Sequence, residues 1–460
     1  MHTIAASILR VSMGIIAAAS LSPAALAADI YPAQLVAHAL LPAKTTIPAP
    51  ADAPKDLQIS GKYTTGTLVE NIGSIKGMSS NRPTGISLPF TGQPVQGHSG
   101  IQYMADGTYW LLTDNGFGSK ANSPDAMLFM RQYRIDWDQG RFVPIKTIFF
   151  NDKNKVLPPR ITHQDSAPRY LTGADFDPES FQIIDGDIWV GDEFGPWLLK
   201  FDSTGTLQAI HDTKVGNKSI YSPDHPTLQL PAKPDDALPQ YQIKRSKGFE
   251  GMAASPDGRY LYPMLEGAIY NHDSKDYDSI DGKNFLRILQ FDTKRNTYTD
   301  KSWKYVLDSN EHAIGDFNMI DPNYGLIIER DNLEGVSDKA CKQSMTDSSR
   351  CFAKPAVFKR VYKVKLDPKG GMAKKVAYID LMAITDNKAV ARKPLVKNKS
   401  GKEAHFVFPF FTIENVDIVD ANHIVVGNDN NLPFSSSRNP NQADDNELIL
   451  LKVTDFLKAK

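Results

Sequence analysis

The sequence predicts an all-β fold, a β-propeller, on three observations. A pattern of hairpin length recurs five times between residues 99 and 429, with an acid or small polar residue at its start and an acid at its end. A further apolar strand follows every copy, so each unit holds three consecutive antiparallel strands, the makings of a propeller blade. Aromatics at 10%, with 31 Gly and 30 Pro, favour short strands and turns, and stretches of helical period are scarce, which argues against a doubly wound α/β fold.

The first copy runs from Ser99-Gly100-Ile101 through a turn at Asp106-Gly107 to a strand at 109–113, closing on Asp114-Asn115. Glu179-Ser180-Phe181 opens the second, which turns at Asp185-Gly186 and closes on Asp192-Glu193. The third opens at Glu250-Gly251-Met252, turns at Asp257-Gly258 and closes on Glu266. The fourth runs from Asp316-Phe317 through Asp321-Pro322-Asn323 to Glu329. Glu414-Asn415-Val416 opens the last, which turns at Asp420-Ala421-Asn422 and closes on Asn428-Asp429. Opening and closing residues stand 13 to 16 positions apart, the span of two five-residue strands and a tight turn. The third strands fall at 133–136, 199–202, 289–292, 362–367 and 448–453.

Successive copies begin 80, 71, 66 and 98 residues apart, so the excess over a compact repeat sits in loops, notably 203–247 and 330–358. Strand-like runs within 57–90 either supply a sixth blade or complete the last one. Six blades, at about 72 residues each, is the expectation, with five or seven as alternatives. The domain plan is a signal peptide at 1–27, an Ala/Pro-rich extended lead-in at 28–56, and one propeller domain at 57–460.

Compartment is read from the N-terminus. Arg10 precedes an apolar run at 11–21, and Ala25-Leu26-Ala27 offers a small-x-small cleavage site. The run is shorter than the roughly 20 residues a spanning anchor needs. Cleavage after Ala27 and a periplasmic or secreted destination are expected, with no membrane attachment afterwards. In an exported chain the only cysteines, Cys341 and Cys351, most simply form one disulfide. With 52 basic and 53 acidic residues, no whole-molecule field recruits nucleic acid. A monomer is expected.

In a propeller the first strand of each blade lines the central channel, so Glu179, Glu250, Asp316 and Glu414 are expected to converge at one mouth. Like charges about 5 Å apart repel by roughly 3 kcal/mol per pair at an effective dielectric near 20, so such a ring needs a cation, shared protons or bridging basic groups. Many hard oxygens favour Ca²⁺, and sparse His argues against zinc. The competing reading is that each acid bonds backbone N–H groups of a neighbouring blade. The closing residues Asp114, Glu266 and Asp429, with Asn115 and Asn430, form a wider outer ring at the same mouth. Glu193 or Glu329 is the candidate base, and Lys247 and Arg330 are the candidate anion-binding groups. Ser99 is a blade-start residue, since Ile101 breaks the G-x-S-x-G spacing of a nucleophile elbow. No Walker A, H-E-x-x-H or EF-hand sequence is present.

Ser99-Gly100-Ile101 with Thr113-Asp114-Asn115-Gly116, Asp177-Pro178-Glu179-Ser180 with Gly191-Asp192-Glu193-Phe194-Gly195, and Gly248-Phe249-Glu250-Gly251-Met252 together resemble the phytase-like domain of bacterial proteins described by an esterase-like activity of phytase. Glu329-Arg330-Asp331-Asn332 and Asn428-Asp429-Asn430-Asn431 continue the likeness, which spans about residues 57–455. The third copy is also similar to blades of the calcium-dependent β-propeller phytases. The resemblance implies a propeller, calcium, and hydrolysis of esters or phosphoesters. The leading expectation is therefore an exported Ca²⁺-dependent hydrolase of a small anionic phosphate or carboxylic ester. The alternatives are a non-catalytic calcium-stabilised propeller that binds a partner, and a lactonase-like propeller acting on a neutral cyclic ester.

Overall fold

In a computed structural model, the structure describes residues 28–228, 233, 238–342, 347–397 and 403–460. The expected signal peptide and its cleavage site after Ala27 lie outside the described residues. Five four-stranded antiparallel units are arranged as blades. The first contains His98–Tyr103, Tyr109–Thr113, Phe129–Asp136 and Arg141–Phe149. The second contains Pro178–Ile184, Asp187–Asp192, Trp197–Phe201 and Leu207–Asp212. Phe249–Ala254, Tyr260–Leu265, Lys283–Asp292 and Thr297–Val306 make the third. The fourth is Ala313–Met319, Tyr324–Arg330, Lys359–Leu366 and Gly371–Asp380. The fifth takes Thr412–Ile418, His423–Asp429 and Asn446–Lys452 from the end of the chain and its outer strand, Gln34–Leu41, from the beginning.

The first strand of each blade lies beside the first strand of the next, and the fifth returns to the first, closing the ring. Every blade interface has its own apolar cluster. Leu112 and Met130 meet Phe181 and Val190 between the first two blades. Trp189 packs on Phe291 and Met252 at the next interface, and Trp303 and Tyr262 on Phe317 and Tyr362 at the third. Leu326 and Ile328 meet Val416 and Val426 at the fourth, and Val425 and Leu448 meet Leu111 and Tyr133 at the fifth. A strand sandwiched in this way is apolar on both faces, which is why the second strands read as unbroken apolar runs. Tyr109–Thr113, for example, is buried at all of its positions.

Five blades correct the expectation of six. The segment 57–90 is not a blade: its main element is the hairpin Ile75–Ser79 with Arg82–Leu88. The second strand of that hairpin alternates buried and exposed residues, so it has one buried face and covers a surface instead of being sandwiched. It rests on loops of the fourth and fifth blades, where Thr84 Oγ1 donates to the Pro433 carbonyl at 2.9 Å and Arg82 pairs with Glu334. The fourth strand of the last blade comes from within the lead-in, where Leu35, Ala37, Ala39 and Leu41 are buried. Its register against Asn446–Lys452 is reinforced by His38 Nε2, 3.0 Å from Glu447, which also takes 2.6 and 3.1 Å bonds from the Arg438 guanidinium. The Cys341–Cys351 disulfide forms as expected, within the long loop after the fourth blade's second strand. No helix among the described residues is long and apolar enough to cross a membrane.

Candidate metal centre

The acids reach the channel mouth through β-bulges. Strand pairing shifts register between Pro178 and Ser180, between Phe249 and Gly251, and between Ile413 and Asn415. The unpaired residue at each shift is Glu179, Glu250 or Glu414. A bulge releases one residue from the ladder and re-aims its side chain, here toward the axis. The apolar residue two positions on, Phe181, Met252 or Val416, packs into a blade interface and fixes that phase.

Asp316 does not share the phase. Counting back from Phe317, the equivalent position in the fourth blade is Gly315. A Cβ there would stand 1.8 Å from the Ile413 carbonyl oxygen, so no acid fits. Asp316 lies one residue later and spends its oxygens on backbone amides, accepting from Phe317 N at 2.7 Å and from Val416 N in the next blade at 2.9 Å. The backbone-bonded reading therefore holds for Asp316, and it is removed from the candidate ligands. The close approach makes a prediction: Gly315→Ala destabilises the fold by about 3 kcal/mol or more, because backbone has to move. Urea unfolding measures it, and a change below about 0.5 kcal/mol would refute the packing argument.

Where the fourth blade lacks an acid, it supplies a cation. Arg330 is buried, with one guanidinium nitrogen 3.2 Å from Glu414 and 3.9 Å from Glu250. Glu414 is further held by the Ser99 hydroxyl, which donates at 2.8 Å, so Ser99 serves the ring as a blade-start residue.

Oxygens of Asp177, Glu179 and Glu193 lie within 4.8 Å of one another, and so do those of Glu193, Glu250 and Glu266. Glu193 belongs to both trios. Oxygens bound to one Ca²⁺ at 2.3–2.6 Å are at most about 5 Å apart, so either trio has the spacing of a partial calcium shell. The donors are all hard carboxylates, and buried Glu193 Oε1 and Glu250 Oε1 have no hydrogen-bond partner. The residues present therefore fit a hard divalent cation.

Electrostatics agree. Burial, reinforced by the neighbouring acids, pushes the carboxyls of Glu179, Glu193 and Glu250 well above their ordinary range. Burial likewise raises Asp177 to about 8 and Asp114 to about 6. Asp429 is raised by burial and then by Glu414 and Asp114. Lys247 pairs with Glu266 at the rim; burial opposes its charge, but Glu266 and Glu193 outweigh that and hold it protonated.

The outer ring divides by role. Glu266 joins the cluster itself. Asp114 accepts from Gln96 at 2.9 Å and from Gly116 N at 2.7 Å, and Asp429 accepts from Asn431 N at 2.6 Å. Asn115 donates to Asp177 at 3.0 Å and so positions a candidate ligand, while Asn430 accepts from Gly97 N at 3.2 Å and ties two loops. Asp177 was not among the expected ligands; its signal was its place two residues before Glu179 in Asp-Pro-Glu.

Glu329 is a second correction. Neighbours along a strand face opposite ways, so with Arg330 turned to the channel, Glu329 turns outward. Its carboxylate accepts from Tyr305 Oη at 2.7 Å, Asp308 N at 2.8 Å and Lys375 Nζ at 2.6 Å, and His312 Nδ1 lies at 2.8 Å. Burial would raise its pKa, but His312 and Lys375 overcome this and hold it below the usual range. A saturated, stabilised carboxylate is not a base for the channel.

A closed propeller whose blade-start acids gather at one mouth defines the class. Residues 93–432 match the sequence profile of the Phytase-like family, described as esterase-like activity of phytase, and the chain belongs to that family. A secreted protein of Arthroderma benhamiae, itself described as uncharacterized, is 35% identical over 94 residues; the match covers 19% of this chain and only 18% of that protein. Two solved propellers overlap loosely. The periplasmic gluconolactonase of Pseudomonas aeruginosa is 12% identical, with 85% of this chain and 98% of that one covered at a TM-score of 0.30. For a calcium-binding regucalcin of Agrobacterium tumefaciens the figures are 12%, 77% and 91% at 0.31. Overlap of this degree carries no inference about chemistry.

Proposed function

We propose that the protein is an exported, Ca²⁺-dependent hydrolase of phosphate or carboxylic esters. The observation that carries this reading is the pair of carboxylate trios sharing Glu193, with orphaned buried oxygens and an embedded arginine. Family membership supports ester hydrolysis, and the disulfide supports export. Bound at the trios, Ca²⁺ would polarise the ester oxygen and make a nearby water more acidic.

The chain's own residues do the rest. Glu179, Glu193, Glu250 and Glu266, with Asp177, hold the cation, and Ser99 and Asn115 orient Glu414 and Asp177 around it. Arg330 keeps a fixed positive charge inside the ring and, with Lys247 at the rim, favours an anionic substrate. Glu193, shared by both trios, is occupied as a ligand and so is not the base.

The test is a panel of phosphomonoesters, acyl esters and lactones assayed with calcium and after chelation. Calcium-dependent turnover of an anionic ester is expected. A melting temperature that depends on calcium, with no turnover on any substrate, would instead establish the non-catalytic propeller. Turnover confined to lactones and insensitive to Arg330→Ala and Lys247→Ala would establish the lactonase reading.

A further inference from the structure

A cleft of about 170 Å³ adjoins the acidic mouth between the third and fourth blades. One wall carries Lys247 and Glu266, members of the site above; the other carries His312 and Asn332. Asn332 ties the His312 wall to the arginine of the mouth, accepting from Arg330 at 2.8 Å and donating to the Glu311 carbonyl at 3.0 Å, beside His312. The His312 ring packs against Phe358 at a tilt of 34°, with centroids 4.1 Å apart, and its Nδ1 lies 2.8 Å from Glu329. Glu329 does not need this contact to be satisfied, since Tyr305, Lys375 and Asp308 N already supply its buried oxygens. The histidine does need it: a carboxylate on Nδ1 fixes the ring's orientation and tautomer, leaving a basic Nε2 for whatever enters the cleft.

Building on the hydrolase reading, we propose that His312 is the catalytic acid–base residue of this site, with Glu329 its positioning residue. Nε2 takes a proton from the attacking water as the new oxygen bond to carbon or phosphorus forms. Glu329 stabilises the resulting imidazolium, with Lys375 and Asp308 behind it and Lys247 and Glu266 across the cleft. The same proton passes to the leaving oxygen as the ester bond breaks, so the alcohol departs neutral and the histidine is restored. This supplies a base outside the ligand set, and it gives the outward-facing Glu329 a part in the chemistry.

The experiment compares wild type with His312→Asn, His312→Ala and Glu329→Gln on two esters of one acid, an alkyl ester and its p-nitrophenyl counterpart. The His312 variants should lose about 100-fold in kcat/KM on the nitrophenyl ester, which needs only the base, and about tenfold more on the alkyl ester, whose alkoxide also needs the proton. Glu329→Gln should show the same leaving-group bias with a smaller loss. Calcium should raise the melting temperature of the His312 variants as much as that of wild type. A nitrophenyl ester hydrolysed at the wild-type rate, a loss no greater on the alkyl ester, or loss of the calcium response would each overturn the assignment. Wild type inactive on both esters and across the wider panel would overturn the hydrolase reading and this assignment with it, whereas an active wild type matched by its His312 variants overturns only the latter.

Discussion

Glu193→Gln should abolish the calcium response and turnover together, because Glu193 is the residue common to both carboxylate trios. Even changes to groups that merely orient a metal ligand weaken affinity by 10–100-fold, so loss of a shared charged ligand should weaken it by about 100-fold or more. The informative part is the opposite sign expected without metal. In chelated protein Glu193 is a buried acid among Glu266, Asp177 and Glu414, and its ionisation is suppressed by burial and by them. Replacing it with a neutral isostere removes that conflict, so the chelated variant should melt at or above the chelated wild type. Calcium at about 100 times its dissociation constant stabilises a protein by about 2.7 kcal/mol, or roughly 3 °C for a chain of this length, and this increment should be missing from the variant. Scanning calorimetry with and without calcium reads both effects. A variant that melts well below wild type in chelator would show that Glu193 is a structural hydrogen-bond acceptor, and the metal centre would have to be abandoned.

The residues that sequence could place are those whose phase was marked twice. Glu179, Glu250 and Glu414 each precede a small or polar residue and then an apolar one that packs between blades, so the pattern carries both the bulge and its register. The fourth copy breaks it: Gly315 holds the phase because a backbone carbonyl fills the space, and the adjacent Asp316 reads as the missing acid. Glu329 failed for a related reason, since a one-residue error in a strand moves a side chain to the opposite face. There it landed on Glu329 instead of Arg330, which was recognised as basic but not as the filler of the fourth blade's gap. The blade count went astray because closure depends on contacts between residues about 400 apart, such as His38 with Glu447, which no local pattern reveals. His312 belongs to no repeat, and only its contact with Glu329 and its place in the cleft single it out.

Metal-free protein should lose stability as pH rises from 5 to 8, the reverse of ordinary acid unfolding. Asp114 and Asp177, raised to about 6 and about 8, and Glu179, Glu193, Glu250 and Asp429, raised well above their ordinary values by burial and mutual repulsion, all bind protons in the folded state that the unfolded chain has released. Folded protein thus carries more protons than unfolded protein across this window, and stability falls with rising pH. The contribution is complete below the unfolded values near pH 4 and disappears as each folded pKa is passed. Each extra proton amounts to about 1.4 kcal/mol per pH unit, or roughly 1–2 °C. Glu447 works in the other direction: burial would raise it, but Arg438 and His38 outweigh burial and lower it to about 2, so its contribution is lost only below about pH 4. Together these put the stability maximum of the chelated protein in mild acid. Calcium replaces the protons with a cation whose binding strengthens as the ligands ionise, so at saturating calcium the decline toward pH 8 should vanish and the gap between the two curves should widen with pH. Melting temperatures in matched buffers, with chelator and with calcium, decide the matter. Parallel curves, or a chelated protein that gains stability between pH 5 and 8, would mean that the mouth carboxylates are already satisfied by the protein and await no ion.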